Sequence, residues 1–345
     1  MPEKNKATTG IILLNLGGPD SLQAVRPFLY NLFSDRDIIR LGPALLQKPI
    51  AWLISTFRSK KTEAMYSQIG GKSPILDITK AQADALEKAI AYEFASKSNH
   101  PLFNEGTIKV YIGMRYWYPF VKETVETIVS DGITDLVALS LYPHYSKATT
   151  GSSVAEFDKL LKDRNINVTY IKQWYDFGPY INALAELVCD GTSEFSGNDF
   201  QILYSAHSLP QSFIDEGDPY LDHIKTTIDK VNQKLTGPPY NISLPEWHLS
   251  FQSKTGPVKW LEPSTEEKIL ELANDGCRNL LVVPISFVSD HIETLYEIDI
   301  LYRSLAEEHG ITIKRCEALN TSGKFIDALK KLIFEKGLKT GDWKQ

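Results

Sequence analysis

VETIVSDGITDLVALSLYP (residues 125–143) and ILELANDGCRNLLVVPISF (residues 269–287) follow one plan. Each opens as an amphipathic helical stretch and stops at an Asp-Gly pair, Asp131-Gly132 or Asp275-Gly276. Two residues later an apolar run begins. Glycine suits the position just past a helix because it tolerates positive φ. An apolar run without alternation reads as a strand covered on both faces, the habit of parallel sheets between helices.

Moving outward, the likeness continues. YIGMRYWYP (111–119) and LSFQSKTGP (249–257) each give a strand, a basic residue (Arg115, Lys254) and a proline. GIILLNLGGP (10–19) and FQILYSAHSLP (200–210) match in style. Two similar α/β halves are expected, with chance similarity as the competing explanation. At roughly 150 residues per domain, the 345 residues also suggest two domains. In open α/β sheets the carboxyl ends of strands line the binding crevice. Asn15, Arg115, Tyr142, His207, Lys254 and Asp290 sit at such ends, so a cleft between the halves is the expected site.

Composition removes several classes. The chain is 43% hydrophobic and 23% charged, with net charge −6 and pI about 5.7. It lacks the basic footprint of a duplex binder, so no nucleic-acid partner is expected. Cys189, Cys277 and Cys316 form neither a CxxC pair nor a disulfide framework, which points to a reducing compartment. MPEKNKATTG does not read as a signal or transit peptide, and no apolar run approaches the ~20 residues of a membrane span. LGGPDS is not a Walker loop, no GxGxxG opens a helix, GxSxG is absent and HIETLYE is not HExxH.

The run SFVSDHIETLYEID (286–299) follows a buried strand. At 100° per residue Asp290, Glu293 and Glu297 fall within about 60° of one another. A solvated acidic face is one reading. The other is a carboxylate ladder at the cleft, with a histidine nearby, able to pass a divalent cation or take up protons. The spacing specifies neither role. His207, in YSAHSLP, is a strand-end histidine that would be structural without further context. PALLQKPIAWLISTFRSKK (43–61) is an apolar stretch with a basic flank. It fits shallow membrane contact or a helix covering the cleft, and the two are compatible.

Several stretches together are similar to the ferrochelatase family: LLNLGGPDS with VRPFLYNLFSDRDII, YSQIGGKSPI, YIGMRYWYP, LYPHYSKATTGSS, YSAHSLP with GDPY, FQSKTGPVKWLEP and VVPISFVSDHIETLYEIDI. They recur in family order from about residue 10 to residue 335, and the resemblance is closest to the protoporphyrin IX branch. It implies two Rossmann-like domains, each a parallel sheet flanked by helices, with a porphyrin cleft between them in a chelatase-type fold. We set the domains at 1–165 plus 320–345 and at 166–319. The implied reaction inserts Fe²⁺ into protoporphyrin IX with release of two protons, the terminal step of haem synthesis.

In that reading His207 is the cleft histidine, acting as base or metal ligand, and Glu293 is the carboxylate opposite it. Both are catalytic and both meet the substrate Fe²⁺. Asp290, His291 and Glu297 support them as an acidic path. The family winds this acidic helix partly as a π-helix. Leu16, Tyr66, Ser73, Arg115, Tyr116, Tyr142, Lys254 and Trp260 are expected to bind porphyrin. No permanently bound cofactor is expected. Animal enzymes carry a 2Fe–2S cluster through one cysteine in the YPxYS loop and three in a C-terminal tail. Here the loop holds Lys147, and the sequence ends GDWKQ, so no such cluster is expected. His144 stands where the family would have glutamine. The expected location is the cytoplasm, with peripheral contact on the inner membrane face through 43–61. A non-catalytic tetrapyrrole carrier on the same scaffold is the competing class, but it would have no need of a histidine facing a carboxylate ladder.

Overall fold

The computed structural model describes residues 9–96, 108–195, 199–256 and 258–338. The outer parts of the domain assignment, 1–8 and 339–345, and with them the sequence's GDWKQ end, lie outside these residues.

Among the described residues eight strands form two sheets: β1 (Thr9–Asn15), β2 (Lys109–Met114), β3 (Asp135–Ser140), β4 (Asn167–Ile171), β5 (Gln201–His207), β6 (Trp247–Gln252), β7 (Asn279–Pro284) and β8 (Thr312–Arg315). Their orders are β2-β1-β3-β4 and β6-β5-β7-β8, and every neighbouring pair is parallel. The two halves are therefore one topology used twice, and the pairs aligned in the sequence (β1 with β5, β2 with β6, β3 with β7) hold equivalent places. The opening motif closes identically in both. Gly132 has φ +72° and Gly276 φ +88°. Ile133 N–H reaches back to Ile128 O at 3.2 Å, and Cys277 N–H to Leu272 O at 2.9 Å, the six-residue closure that satisfies a helix end.

The continuous apolar runs follow from burial on both faces. In β1, Ile11 and Leu13 enter a central core, while Ile12 and Leu14 pack on the other side. In β7, Leu281 and Val283 face the same central core, while Leu280 and Val282 face outward beneath the helix Thr265–Asn274. That central core is shared by the two sheets. It takes in the helices Gly178–Thr192, Tyr220–Thr236 and Gly323–Leu332, with Phe325 fully buried against Trp174. The sheets differ from the expected division at one point. β4 pairs with β3, so the first sheet runs to Ile171, past the 165/166 boundary. That edge strand is only partly covered and lacks the apolar run that marks the inner strands.

Beyond β1, the Leu16-Gly17-Gly18-Pro19 loop turns through Gly17 at φ +83°. A Cβ on Gly18 would lie 2.5 Å from Ser73 Oγ, so this loop packs tightly against the segment that opens the helix Ile75–Ser96.

Candidate active site

The carboxyl ends of β1, β3, β5, β6 and β7 converge on one cavity of about 320 Å³, within the range of small-molecule sites. Its acidic groups and three of its ionisable side chains at depth come from the second half: His207 at the end of β5, then Glu293 and Glu297 beyond β7, with His291 beside them, while Arg58 and His144 reach it from the first half. The acidic segment is a π-helix, Glu293–Tyr302, as the family resemblance implied. Such windings are rare and concentrate at functional sites.

His207 Nδ1 lies 2.7 Å from Glu293 Oε2. A carboxylate accepts, so Nδ1–H donates and the Nε2 lone pair is free. Tyr220 donates its hydroxyl to the His207 carbonyl at 2.9 Å, and the His207 N–H donates to Ser286 Oγ at 3.0 Å. The ring is 36% exposed. That surface faces the cavity, which is why its charge balance is set by buried neighbours. Burial disfavours the imidazolium, but the Glu293 charge and hydrogen bond, helped by Glu297, raise the His207 pKa overall.

Burial alone would raise the Glu293 carboxyl, but the His207 charge and hydrogen bond, His291 and Ser253 outweigh it and hold it down to about 2. Glu297 behaves oppositely. Burial and the nearby Glu293 charge push it up to about 7. Ser253 Oγ sits between them, 2.9 Å from Glu293 Oε2 and 2.5 Å from Glu297 Oε2. A hydroxyl has one hydrogen, so the two contacts are satisfied together when Glu297 carries a proton and donates it to Ser253. Gln252 Nε2 donates to Glu297 Oε2 at 3.1 Å and to the Glu293 carbonyl at 2.8 Å. Ser253 holds φ +66°, a conformation uncommon outside glycine and often found at functional positions. His291 donates Nδ1–H to Ser289 O at 3.0 Å, leaving Nε2 3.9 Å from Glu293 Oε1.

The expected residues separate into two groups. Leu16, Tyr66, Ser73, Tyr142, His207, Trp260, His291, Glu293 and Glu297 all line the cavity. The Trp260 indole N–H has no protein partner, and the Tyr142 hydroxyl lies near the Leu16 backbone without hydrogen-bonding geometry. A buried polar atom seldom remains unpaired, so the Trp260 N–H is free to meet a polar group in the cavity. Arg115, Tyr116, Lys254 and Asp290 do not join the wall. Arg115 donates to Asp35 Oδ2 at 2.8 Å, and Tyr116 donates to the same oxygen at 2.7 Å. Lys254 points outward toward Glu267, 3.5 Å away. Asp290 is held by Arg315 and Asn320. Glu293 is also beside His207 rather than across the cavity from it. The acidic run is not a solvated face, since Glu293 is 16% exposed.

Three contributors escaped the sequence reading. Ser253 and Gln252 lie inside FQSKTGPVKWLEP, but neither was given a role there. Arg58, read only as part of a basic flank, is the one lysine or arginine among the described lining residues. It donates to Thr255 Oγ1 at 2.5 Å, spanning from the lip helix Gln47–Ser67 to the loop after β6.

The chain is similar to known proteins over nearly its whole length. Curated ferrochelatases from Desulfotalea psychrophila and Geobacter metallireducens are 49% and 51% identical to the chain, each over 96% of it and 98% and 99% of their own lengths. One from Synechocystis is 47% identical over 94% of this chain and 82% of its own. Among solved structures, SirB from Bacillus subtilis with Fe³⁺ superposes with a TM-score of 0.53 at 11% identity, covering 97% and 98% of the two chains, which speaks to the fold alone. The ferrochelatase family profile matches residues 8–337, the span that carries both sheets, the cavity and the His207–Glu293 pair, and the chain belongs to that family.

Proposed function

We propose that the protein inserts ferrous iron into protoporphyrin IX at the His207–Glu293 pair. The observation that carries this reading is the 2.7 Å contact between His207 Nδ1 and Glu293 Oε2. It leaves His207 Nε2 with a lone pair for a pyrrole N–H and sets a carboxylate behind the ring to stabilise the imidazolium that forms. Two protons must leave for each iron taken up. His207 accepts one. The Glu293, Ser253 and Glu297 network takes protons onward and steadies the incoming cation, since carboxylate and imidazole both suit a divalent iron in transit. Iron is substrate throughout. Lys147 offers no thiolate, and three cysteines cannot supply a four-thiolate cluster.

The apolar first-half wall, with Leu29, Phe33, Ile38 and Met65, accommodates the flat macrocycle, and Arg58 at the lip meets a propionate. The lip also offers a membrane surface. Leu45 is 92% exposed, Phe57 77% and Trp52 53%, with Arg26 stacked over Trp52. Large apolar side chains beside cations suit a shallow seat at a lipid headgroup boundary. Among the described residues no helix is long and apolar enough to cross a membrane, so the proposed contact is peripheral.

The test is anaerobic mixing of the protein with protoporphyrin IX and Fe²⁺ or Zn²⁺. Metalloporphyrin absorbance should appear over many turnovers. Binding of one porphyrin per chain without turnover would make this a carrier. Preference for a porphyrin with more carboxylates would overturn the substrate.

A further inference from the structure

The acidic segment is gripped from outside the cavity by one side chain that the reaction scheme does not use. Arg315, at the end of β8, is 10% exposed. Its Nη1 donates to Asp290 Oδ1 at 3.0 Å, and its Nε and Nη2 donate to the two Asp299 oxygens at 2.9 and 2.8 Å. Nη1 also donates to Cys316 O at 3.1 Å. The guanidinium thus grips Asp299 with two parallel bonds and Asp290 with a third, the planar geometry that lysine cannot copy.

Other groups complete the clamp. Asn320 Nδ2 donates to Asp290 Oδ2 at 2.8 Å, its Oδ1 accepts the Asp290 N–H at 2.9 Å, and Thr294 donates to Asp290 Oδ1 at 2.9 Å. Arg303, half-exposed, reaches Asp299 at 3.3 Å. Asp290 stands immediately before His291, and Asp299 stands two residues after Glu297. A single guanidinium therefore closes a loop around every acid and imidazole that the segment sends into the cavity.

Asp290 lies in the loop just before the helix, and Asp299 lies in the second half of the π-helix Glu293–Tyr302. One fork therefore ties the entry of the segment to its body, from before His291 to beyond Glu297. We infer that Arg315 is a positioning residue for chelation, locking the π-helical winding from behind so that His291, Glu293 and Glu297 keep their places on the cavity wall. The inference rests on the proposed reaction for its kinetic readout but not for its structural one.

The experiment compares the parent with Arg315→Ala, Arg315→Lys and Asp299→Asn. Hydrogen exchange needs no catalysis: amides of 293–302 should exchange at least tenfold faster in Arg315→Ala, with β1, β5 and β7 unchanged. In anaerobic kinetics the same variant should lose tenfold or more in kcat and show a raised KM for the metal, while porphyrin affinity by fluorescence quenching stays within twofold. Millimolar guanidinium should restore kcat at least threefold, with urea and sodium chloride as inactive controls. Asp299→Asn should fall between Arg315→Ala and the parent. Should Arg315→Ala fail to fold, Arg315→Lys decides, since it keeps the charge but not the fork, and it should show the same exchange and kcat–KM pattern at smaller amplitude. Parental exchange and kcat in a folded Arg315 variant would overturn the inference. So would a loss that only tracks the unfolded fraction and ignores guanidinium. A parent that never chelates would instead overturn the proposed reaction, and the exchange data would still judge the clamp.

Discussion

At the scale of single residues, Glu293 decides most. It is buried, held ionised and in contact with His207, the proposed base, so Glu293→Gln removes a charge that stabilises the imidazolium. A group acting in acid–base catalysis typically contributes ~10²–10⁴-fold, so turnover should fall by at least two orders of magnitude with porphyrin binding retained. His207→Ala should lose as much, and the double variant far less than the product of the two. Anaerobic turnover with fluorescence quenching checks this, and near-parental turnover in Glu293→Gln would remove the pair from the mechanism. A pH consequence follows. His207 must be neutral to accept a pyrrole proton, so the rate should rise with pH through its raised pKa. Without the Glu293 anion the imidazolium is less stable, its pKa drops, and the acid limb of residual kcat/KM should move to lower pH. A limb that stays put or moves upward would show that another group controls it. Single residues were also where the sequence was least legible. The strand-end rule locates Arg115 and Lys254 near the cleft but says nothing of direction. Asp35, far away in sequence, draws the Arg115 guanidinium aside, and Glu267 holds Lys254 outside. Ser253 was missed because a hydroxyl between two acids leaves no trace in spacing.

At the scale of elements, the inner strands were legible because burial on both faces forces unbroken apolar runs. Two of the four edge strands, β4 and β8, were not, since NVTYI and TIKR are partly exposed and the second is half basic. The acidic helix was legible as a carboxylate ladder. Its α-helical wheel placed Asp290 with Glu293 and Glu297, but Asp290 is turned away to Arg315. The lip helix Gln47–Ser67 reads as apolar and basic in sequence, and it leaves Trp52 and Phe57 bare. Trp52→Glu opposes burial at a headgroup boundary. It should weaken liposome flotation several-fold while turnover of detergent-dispersed porphyrin changes less than twofold. Equal flotation of variant and parent would leave the helix as a cover for the cavity alone.

At the scale of the whole molecule, the two sheets are welded through one core, and Phe325 shows how. It is fully buried against Trp174, on a helix that follows β8 in sequence yet packs beside residues of the first sheet. Phe325→Ala should destabilise the protein by ~3–5 kcal/mol, the usual cost of removing a buried aromatic ring. Urea titration checks it, and a loss below about 1 kcal/mol would show that the shared core can relax around the gap.

The twofold repeat of the fold is chemically lopsided. Where β5 ends in His207, β1 ends in Asn15, whose amide is already given to Thr79 at 3.1 Å. The first half's cavity histidine, His144, is held neutral by burial, and the deep groups poised to exchange charge, His207, Glu293 and Glu297, belong to the second. In the proposed reaction a flat ring held between them is worked from the second half's side. Departing protons and arriving metal share that side and travel in opposite directions, two single charges out for one double charge in. The exchange is electroneutral. The cavity ends each turnover with the charge it began with and needs no counter-ion to reset it. Added salt should then slow the capture of iron, which is steered from a distance, and leave the rate of the bound complex alone.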